Sequence, residues 1–405
     1  MPKMSRYVLF ELTKTFLLAV LSLTVTLTLV LVADEARRNG LPPGAILRIL
    51  PFILPKALLY SAPVTLLLAT TTVYSRMASS NEVVALKALG ISPIVVLWPS
   101  YLLAIVMSLL TVWIFDVDAS WGRSGLKRVF IESVQEIAYG MLNKYKSYQS
   151  QSGGFSITVK RVDDRRLIWP TLIIHRQQGN LPTMTIMAPE AELSCNHQDQ
   201  SFDIILHDAT VQTESPPMRV RHPETWVLSI PLAEASREDN SSTSPSWMPL
   251  RRIAKETQKQ REAIEQTKEE LAATAAHQMI AGQLGPCGNV DFLTSPQWRL
   301  RLAKLADMNQ TLCRLLTEPF RRWASGFSCL CFIWVGAPMA VWMRNRDFLQ
   351  SFFLCFAPIL IVYYPLFIYG IDGAKNGTIP PYSVWAGNIL LFLWGCWLLR
   401  KVLRY

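Results

Sequence analysis

Six uncharged apolar runs constrain this chain more than anything else in it. Each is about 18 residues or longer, enough for a helix to cross roughly 30 Å of hydrocarbon. They cover residues 16–33, 57–74, 91–115, 323–343, 348–371 and 377–399. Between the third and the fourth lie about 200 more polar residues, sufficient to bury a core of their own. The expected plan is three spans, one large soluble region and three further spans. The first run is long for the apolar part of a signal peptide and no clear A-x-A site follows it, so it reads as a retained anchor.

The formal charge of +10 would suggest nucleic acid as a partner in a soluble protein, but here the basic residues flank the spans. Lys3, Arg6 and Lys14 precede span one; Arg76 and Lys87 lie between spans two and three; Arg344 and Arg346 lie between four and five; Arg400, Lys401 and Arg404 follow six. All four groups fall on one side. The positive-inside rule makes that side cytoplasmic, with both termini inside and the soluble region outside. Arg37, Arg38 and Arg48 fall on the other side, where Asp34 and Glu35 partly offset them.

From about residue 147 to 231 the chain alternates apolar and polar residues in short runs, the period of half-buried strands. The clearest are Phe155-Ser-Ile-Thr-Val-Lys, Leu167-Ile-Trp, Thr171-Leu-Ile-Ile, Met184-Thr-Ile-Met, Phe202-Asp-Ile-Ile-Leu, Met218-Arg-Val-Arg and Thr225-Trp-Val-Leu-Ser-Ile. Such spacing predicts a sandwich, jellyroll or partly open barrel. Its interior either holds an acyl chain or is filled, making the domain a spacer. After a Ser/Pro-rich linker at 241–249, residues 251–277 favour a solvated helix with one weak face, Ile253, Ile264 and Leu271. A break at 282–288 follows, and Ser295 with Pro296 can start a second helix. Its seam is Trp298, Leu302, Leu305, Asn309, Leu312 and Leu316, which suits an antiparallel hairpin or docking on another subunit.

The domain expectations are therefore residues 1–115 for spans one to three, 116–249 for a β-jellyroll-like domain, 250–317 for a helical hairpin and 318–405 for spans four to six. No phosphate loop of the form G-x-x-x-x-G-K-[ST] occurs, nor H-E-x-x-H or G-x-S-x-G. The spans carry no interior Asp, Glu, Lys or Arg, which argues against an ion-coupled carrier. Cys195 and His197 lack a second ligand pair, and the seven cysteines show no regular spacing. No cofactor, metal or catalytic residue is expected, and the chain does not read as an enzyme.

The segment Tyr-Ser-Arg-Met-Ala-Ser-Ser-Asn-Glu-Val-Val-Ala-Leu-Lys-Ala-Leu-Gly-Ile-Ser-Pro, residues 74–93, reads as a short helix between two spans. Ser79 and Glu82 stand at capping-box spacing, and Gly90 suits the left-handed position beyond the last turn. The helix lies either on lipid headgroups or against a protein partner, and it has few basic residues to hold it to anionic lipid.

At these residues the chain resembles the lipopolysaccharide-transport permeases of the LptF/LptG (YjgP/YjgQ) family. The resemblance rests on Asn81-Glu82-Val83-Val84-Ala-Leu86-Lys87-Ala-Leu-Gly90-Ile-Ser92, on Leu54-Pro-Lys entering span two, and on Glu318-Pro-Phe-Arg321-Arg322 entering span four. Gly336-Ala-Pro338, Pro380-Pro381, Trp385 and Asn388 extend it over nearly the whole chain. It implies an ABC exporter permease in the bacterial inner membrane, paired with a second permease half on a cytoplasmic ABC ATPase dimer. Glu82 and its helix (Val83, Val84, Leu86, Lys87, Gly90) would couple to that ATPase. It further implies that lipopolysaccharide or a related glycolipid passes to periplasmic jellyroll bridge proteins.

The implied lipid path begins beside spans one and five, with Leu29 and Phe367 as wall positions, and rises along inward strand positions such as Ile173 and Ile205. Arg37 and Arg38 are the nearest basic residues for phosphate or sugar acids, unless they only neutralise Asp34 and Glu35. The stretch 251–316 is longer than the family's link, and the acids preceding Arg37 depart from its pattern. The competing reading is a non-transporting envelope scaffold that assembles through its soluble region.

Overall fold

A computed structural model describes residues 2–39, 43–90, 92–149, 155–163, 166–174, 184–196, 201–214, 217–222, 224–231, 244–280, 296–343 and 348–404. The expected break at 282–288, the Ser295 cap, His197, Arg344 and Arg346 lie outside the described residues. Among the described residues six helical stretches are long and apolar enough to cross a membrane: Met4–Arg38, Gly44–Ser79, Pro93–Phe130, Pro296–Trp342, Leu349–Lys375 and Pro381–Arg404. The chain separates into two compact units. One comprises Met1–Thr26, Pro55–Ser120 and Met248–Tyr405; the other comprises Leu27–Leu54 and Trp121–Trp247.

The helical elements are α1 (Pro2–Asn39), α2 (Pro43–Ser79), α3 (Glu82–Ala88), α4 (Pro93–Val117), α5 (Arg123–Tyr145), α6 (Leu250–Ile280), α7 (Pro296–Trp342), α8 (Phe348–Pro358), α9 (Tyr364–Lys375) and α10 (Ala386–Arg404). A π-helical turn, Ile359–Tyr363, joins α8 to α9 within span five and leaves Leu360 and Ile361 exposed. Along α2 the hydroxyls of Thr65, Thr70, Thr71 and Thr72 donate to carbonyls one turn back, at 2.8, 2.7, 3.0 and 2.7 Å. Polar groups in an apolar span must find such internal partners. Thr24 and Ser61 share a buried hydrogen bond of 2.7 Å between α1 and α2. At Gly326 of α7 an added Cβ would lie 2.3 Å from Val112 Cγ2, so the small residue lets α4 and α7 approach closely.

The hairpin packs antiparallel. Ile253 of α6 shares a cluster with Leu315 of α7, while Gln260 Nε2 donates to the Met308 carbonyl at 3.2 Å. One expectation changes here. The inward side of α7 is Trp298, Met308 and Leu315, leaving Leu302 and Asn309 exposed, because α6 lies along one flank of the apolar stripe. The second hairpin helix and span four are also one continuous helix, α7, of 47 residues and roughly 70 Å.

A buried charge network holds the hairpin's root. Arg322 Nε donates to Glu318 Oε1 at 3.1 Å, and its Nη2 donates to the Met248 carbonyl at 2.7 Å. Its Nη1 lies 3.5 Å from Asp116 Oδ1, which also accepts the Leu250 backbone N–H at 2.8 Å. Arg321 forks onto both Glu318 oxygens. Glu318 and Arg322 are each 1% exposed.

In the other unit α5 opens the polar region, a helix the alternation pattern does not announce. The strands are β1 (Ser147–Gln149), β2 (Phe155–Thr158), β3 (Arg161–Asp163), β4 (Arg166–Ile168), β5 (Thr171–Ile174), β6 (Met184–Met187), β7 (Glu190–Asn196), β8 (Ser201–His207), β9 (Ala209–Glu214), β10 (Pro217–His222) and β11 (Trp226–Pro231). One antiparallel sheet runs β1-β2-β5-β6-β9-β10 and the other β11-β8-β7-β4-β3. The chain thus builds two strands in one sheet, then two in the other, alternately. Only the coarser expectation of two antiparallel sheets over one core is met; this order is not that of nested Greek keys.

The core between the sheets is filled by Leu167, Leu172, Ile186, Leu193, Ile204, Leu206 and their neighbours. Tyr139 and Gln135 of α5 bind the backbone N–H and carbonyl of Leu193, each at 2.9 Å. Ile173 and Ile205, taken from the sequence as inward, instead lie half-buried on the opposite strand faces from Leu172, Ile204 and Leu206. The side-chain period of two puts neighbours on opposite faces. Two of the sheet-to-sheet corners use a left-handed residue, Trp169 (φ 51°) and Asp208 (φ 54°). Arg221 forks onto the Asp208 carboxylate at 2.8 and 2.5 Å. These hydrogen bonds hold the Asp208 carboxyl below its ordinary pKa.

Candidate functional site

The short helix α3 sits between spans two and three and is defined by its two ends. At the first, the sequence suggests that Ser79 caps the helix, but Ser79 still belongs to the last turn of α2. Its hydroxyl donates to the Arg76 carbonyl at 2.9 Å, satisfying the end of α2 instead. Ser80 Oγ lies 2.8 Å from the same carbonyl and 3.1 Å from Glu82 Oε1. Asn81 reverses the chain in the left-handed region (φ 62°), and its carbonyl accepts the first α3 hydrogen bond, from Ala85 N at 3.0 Å. At the second end Gly90 has φ +77°, a conformation that L side chains rarely adopt.

Seven residues are too few for a stable helix in water, so α3 depends on what it packs against. Val83 is buried and Leu86 half-buried in the cluster that contains Val8, Leu12, Met77 and Leu97. Nearby, Tyr74 OH donates to the Val96 carbonyl at 2.9 Å and ties α2 to α4. The other side is open: Glu82 is exposed, Val84 is 40% exposed and Leu89 76%. Lys87 also lies on α3. A carboxylate beside apolar side chains on a braced helix suits docking to a complementary protein surface.

The proposed lipid-path residues have different surroundings. In one unit, Arg38 Nε is 2.9 Å from Asp34 Oδ2 one turn away, Arg37 is exposed, and Leu29 is exposed. In the other, Phe367 is half-buried and stacks on Tyr363, so its ring is partly taken up by packing. Ile173 and Ile205 stand away from the sheet core, as described above. Sequence reading missed the roles of Ser80 and Asn81 and the Asp116–Glu318–Arg322 network. The i,i+4 spacing of Glu318 and Arg322 was the available signal for the last.

Among the described residues, six apolar helices and two antiparallel sheets define a multi-pass membrane protein with a β-rich domain. The family described as Lipopolysaccharide export system permease LptF/LptG matches residues 6–401, nearly the whole chain, and the chain belongs to it. No curated protein matches the chain.

Proposed function

We propose that the chain is one permease half of an ABC exporter that extracts lipopolysaccharide, or a related glycolipid, from the bacterial inner membrane. It pairs with a second half of its family, and a cytoplasmic ATPase dimer docks on α3. The β-rich domain faces the periplasm and leads to the bridge proteins, and because its core is filled the glycolipid passes along its outside. The observation that supports this reading most is α3 itself, held by Val83 between two spans while Glu82, Val84 and Leu89 stay open. Leu29 lines the start of the lipid path and Arg37 meets the anionic groups of the lipid, whereas Arg38 is engaged by Asp34.

Glu82→Lys tests the docking. The residue is exposed and outside the apolar parts of the spans, so folding is expected to persist, while ATPase affinity falls by about 1–3 kcal/mol, roughly 5- to 150-fold. Co-purification in mild detergent and glycolipid release from proteoliposomes read the outcome. Unchanged retention and unchanged release in the variant would sink the assignment. A wild-type chain that brings down neither an ATPase nor a glycolipid would favour an envelope scaffold.

A further inference from the structure

The coupling segment has a second attachment, to the first helix. Arg76 Nη2 of α2 lies 3.0 Å from Glu11 Oε1 of α1, with the Glu11 side chain 20% exposed and Arg76 56%. The carbonyl of Arg76 receives the Ser79 and Ser80 hydroxyls, and Ser80 Oγ also reaches the Glu82 carboxylate. Arg76 therefore links both ends, its guanidinium meeting Glu11 and its backbone carbonyl meeting Ser80, which reaches Glu82. Ser80 has one hydroxyl proton for three acceptors, the Arg76 and Met77 carbonyls and Glu82, so drawing Glu82 toward an outside cation returns that proton to the carbonyls at the end of α2.

The apolar contacts beside this series are extensive but undirected. Val8, Leu12 and Phe16 of α1 are buried in the same cluster as Met77 and Val83. Such burial turns the Val8–Leu12–Phe16 stripe of α1 toward the cluster, but it contains no directional bond at the end of α2. The Glu11–Arg76 contact adds a directional link between α1 and the last turns of α2.

We propose that Glu11 and Arg76 are positioning residues that fasten the first helix to the coupling segment, so that a displacement of α3 by the bound ATPase reaches span one. This rests on the docking role given to α3 under Proposed function. An ion pair whose cation stays largely in solvent adds little to stability, so removing it is expected to leave the fold and ATPase docking in place while loosening transmission.

The test uses the full complex of both permease halves and the ATPase in proteoliposomes, comparing wild type, Glu11→Gln, Arg76→Gln and the charge exchange Glu11→Arg with Arg76→Glu. The single variants should keep their melting points, retained ATPase and basal ATP hydrolysis. Glycolipid released per ATP should fall about fivefold or more, the lower end of usual coupling between sites. The exchange should restore most of that ratio. Single variants that release wild-type amounts per ATP would overturn the inference and leave the docking of α3 standing. Variants that lose melting point and retained ATPase together would show a merely structural pair, also overturning it. A wild-type complex without ATPase retention or lipid release would defeat the docking reading and this inference with it.

Discussion

The root of the helical hairpin and the α2–α3 segment, the proposed coupling segment, both use acid–base contacts, with opposite burial. At the root, Glu318 and Arg322 are each 1% exposed, and their charges are distributed over Arg321, Asp116 and the Met248 carbonyl. At the coupling segment, Glu82 is exposed, and Arg76 reaches Glu11 from a largely exposed position. Burial makes each lost partner costly, so the root is a fixed joint. Exposure makes each contact weak and exchangeable, which suits the docking proposed for α3.

The largest effect should come from breaking the joint. Arg322→Ala removes a buried cation from beside Glu318 and Asp116 and should cost about 3–5 kcal/mol. Denaturation in detergent, followed by tryptophan fluorescence, measures it; a loss below about 1 kcal/mol would mean that water already reaches the network. A smaller effect is expected at the coupling segment. Gly90→Ala meets no neighbouring atom within 4 Å, so the cost is the left-handed backbone alone, about 1–2 kcal/mol. It should appear as weaker ATPase retention with little change in melting point, and an equal fall in both would join α3 to the core more firmly than its exposure suggests.

The smallest concerns the exposed Asp208–Arg221 fork, where Arg221→Ala should lower the melting point slightly at neutral pH. Because the Asp208 carboxyl is held below its ordinary pKa, what the fork contributes is present above the unfolded-state value. It is lost as pH falls through the lowered folded-state value. Melting points measured across that acid range should converge for wild type and variant, and a constant gap would mean that Arg221 acts through packing instead.

The spans were legible because a long uncharged run has few alternatives to crossing a membrane. Thr171–Ile174 and Met184–Met187 were legible to the residue, being short apolar runs between turn formers. Which way they face was not. In Leu172-Ile173-Ile174 and Ile204-Ile205-Leu206 consecutive residues are all apolar, so no period of two distinguishes core from surface. β7 was missed although Ala191 and Leu193 alternate with Glu192 and Ser194, because its small core residue Ala191 carries little hydrophobic signal. The weak face of α6 reads correctly as Ile253, Ile264 and Leu271, all buried. Thr257 and Thr267 fill positions between them, and their hydroxyls return to the helix at 2.7 and 2.8 Å. At α3 the helix start at Glu82 and the left-handed Gly90 were legible, but the cap was misplaced. A serine pair offers two possible helix starts, and α2 continued far enough to claim Ser79.

The alternation of strand pairs between the two sheets also makes the β-region a ruler. Four successive strands, two for each sheet, extend both sheets by two strand spacings, about 9–10 Å. Length can therefore change by whole repeats while the corner chemistry at Trp169 and Asp208 stays the same. Duplicating one four-strand repeat would lengthen the domain in a countable step, whereas adding a single hairpin would lengthen one sheet and leave the other short.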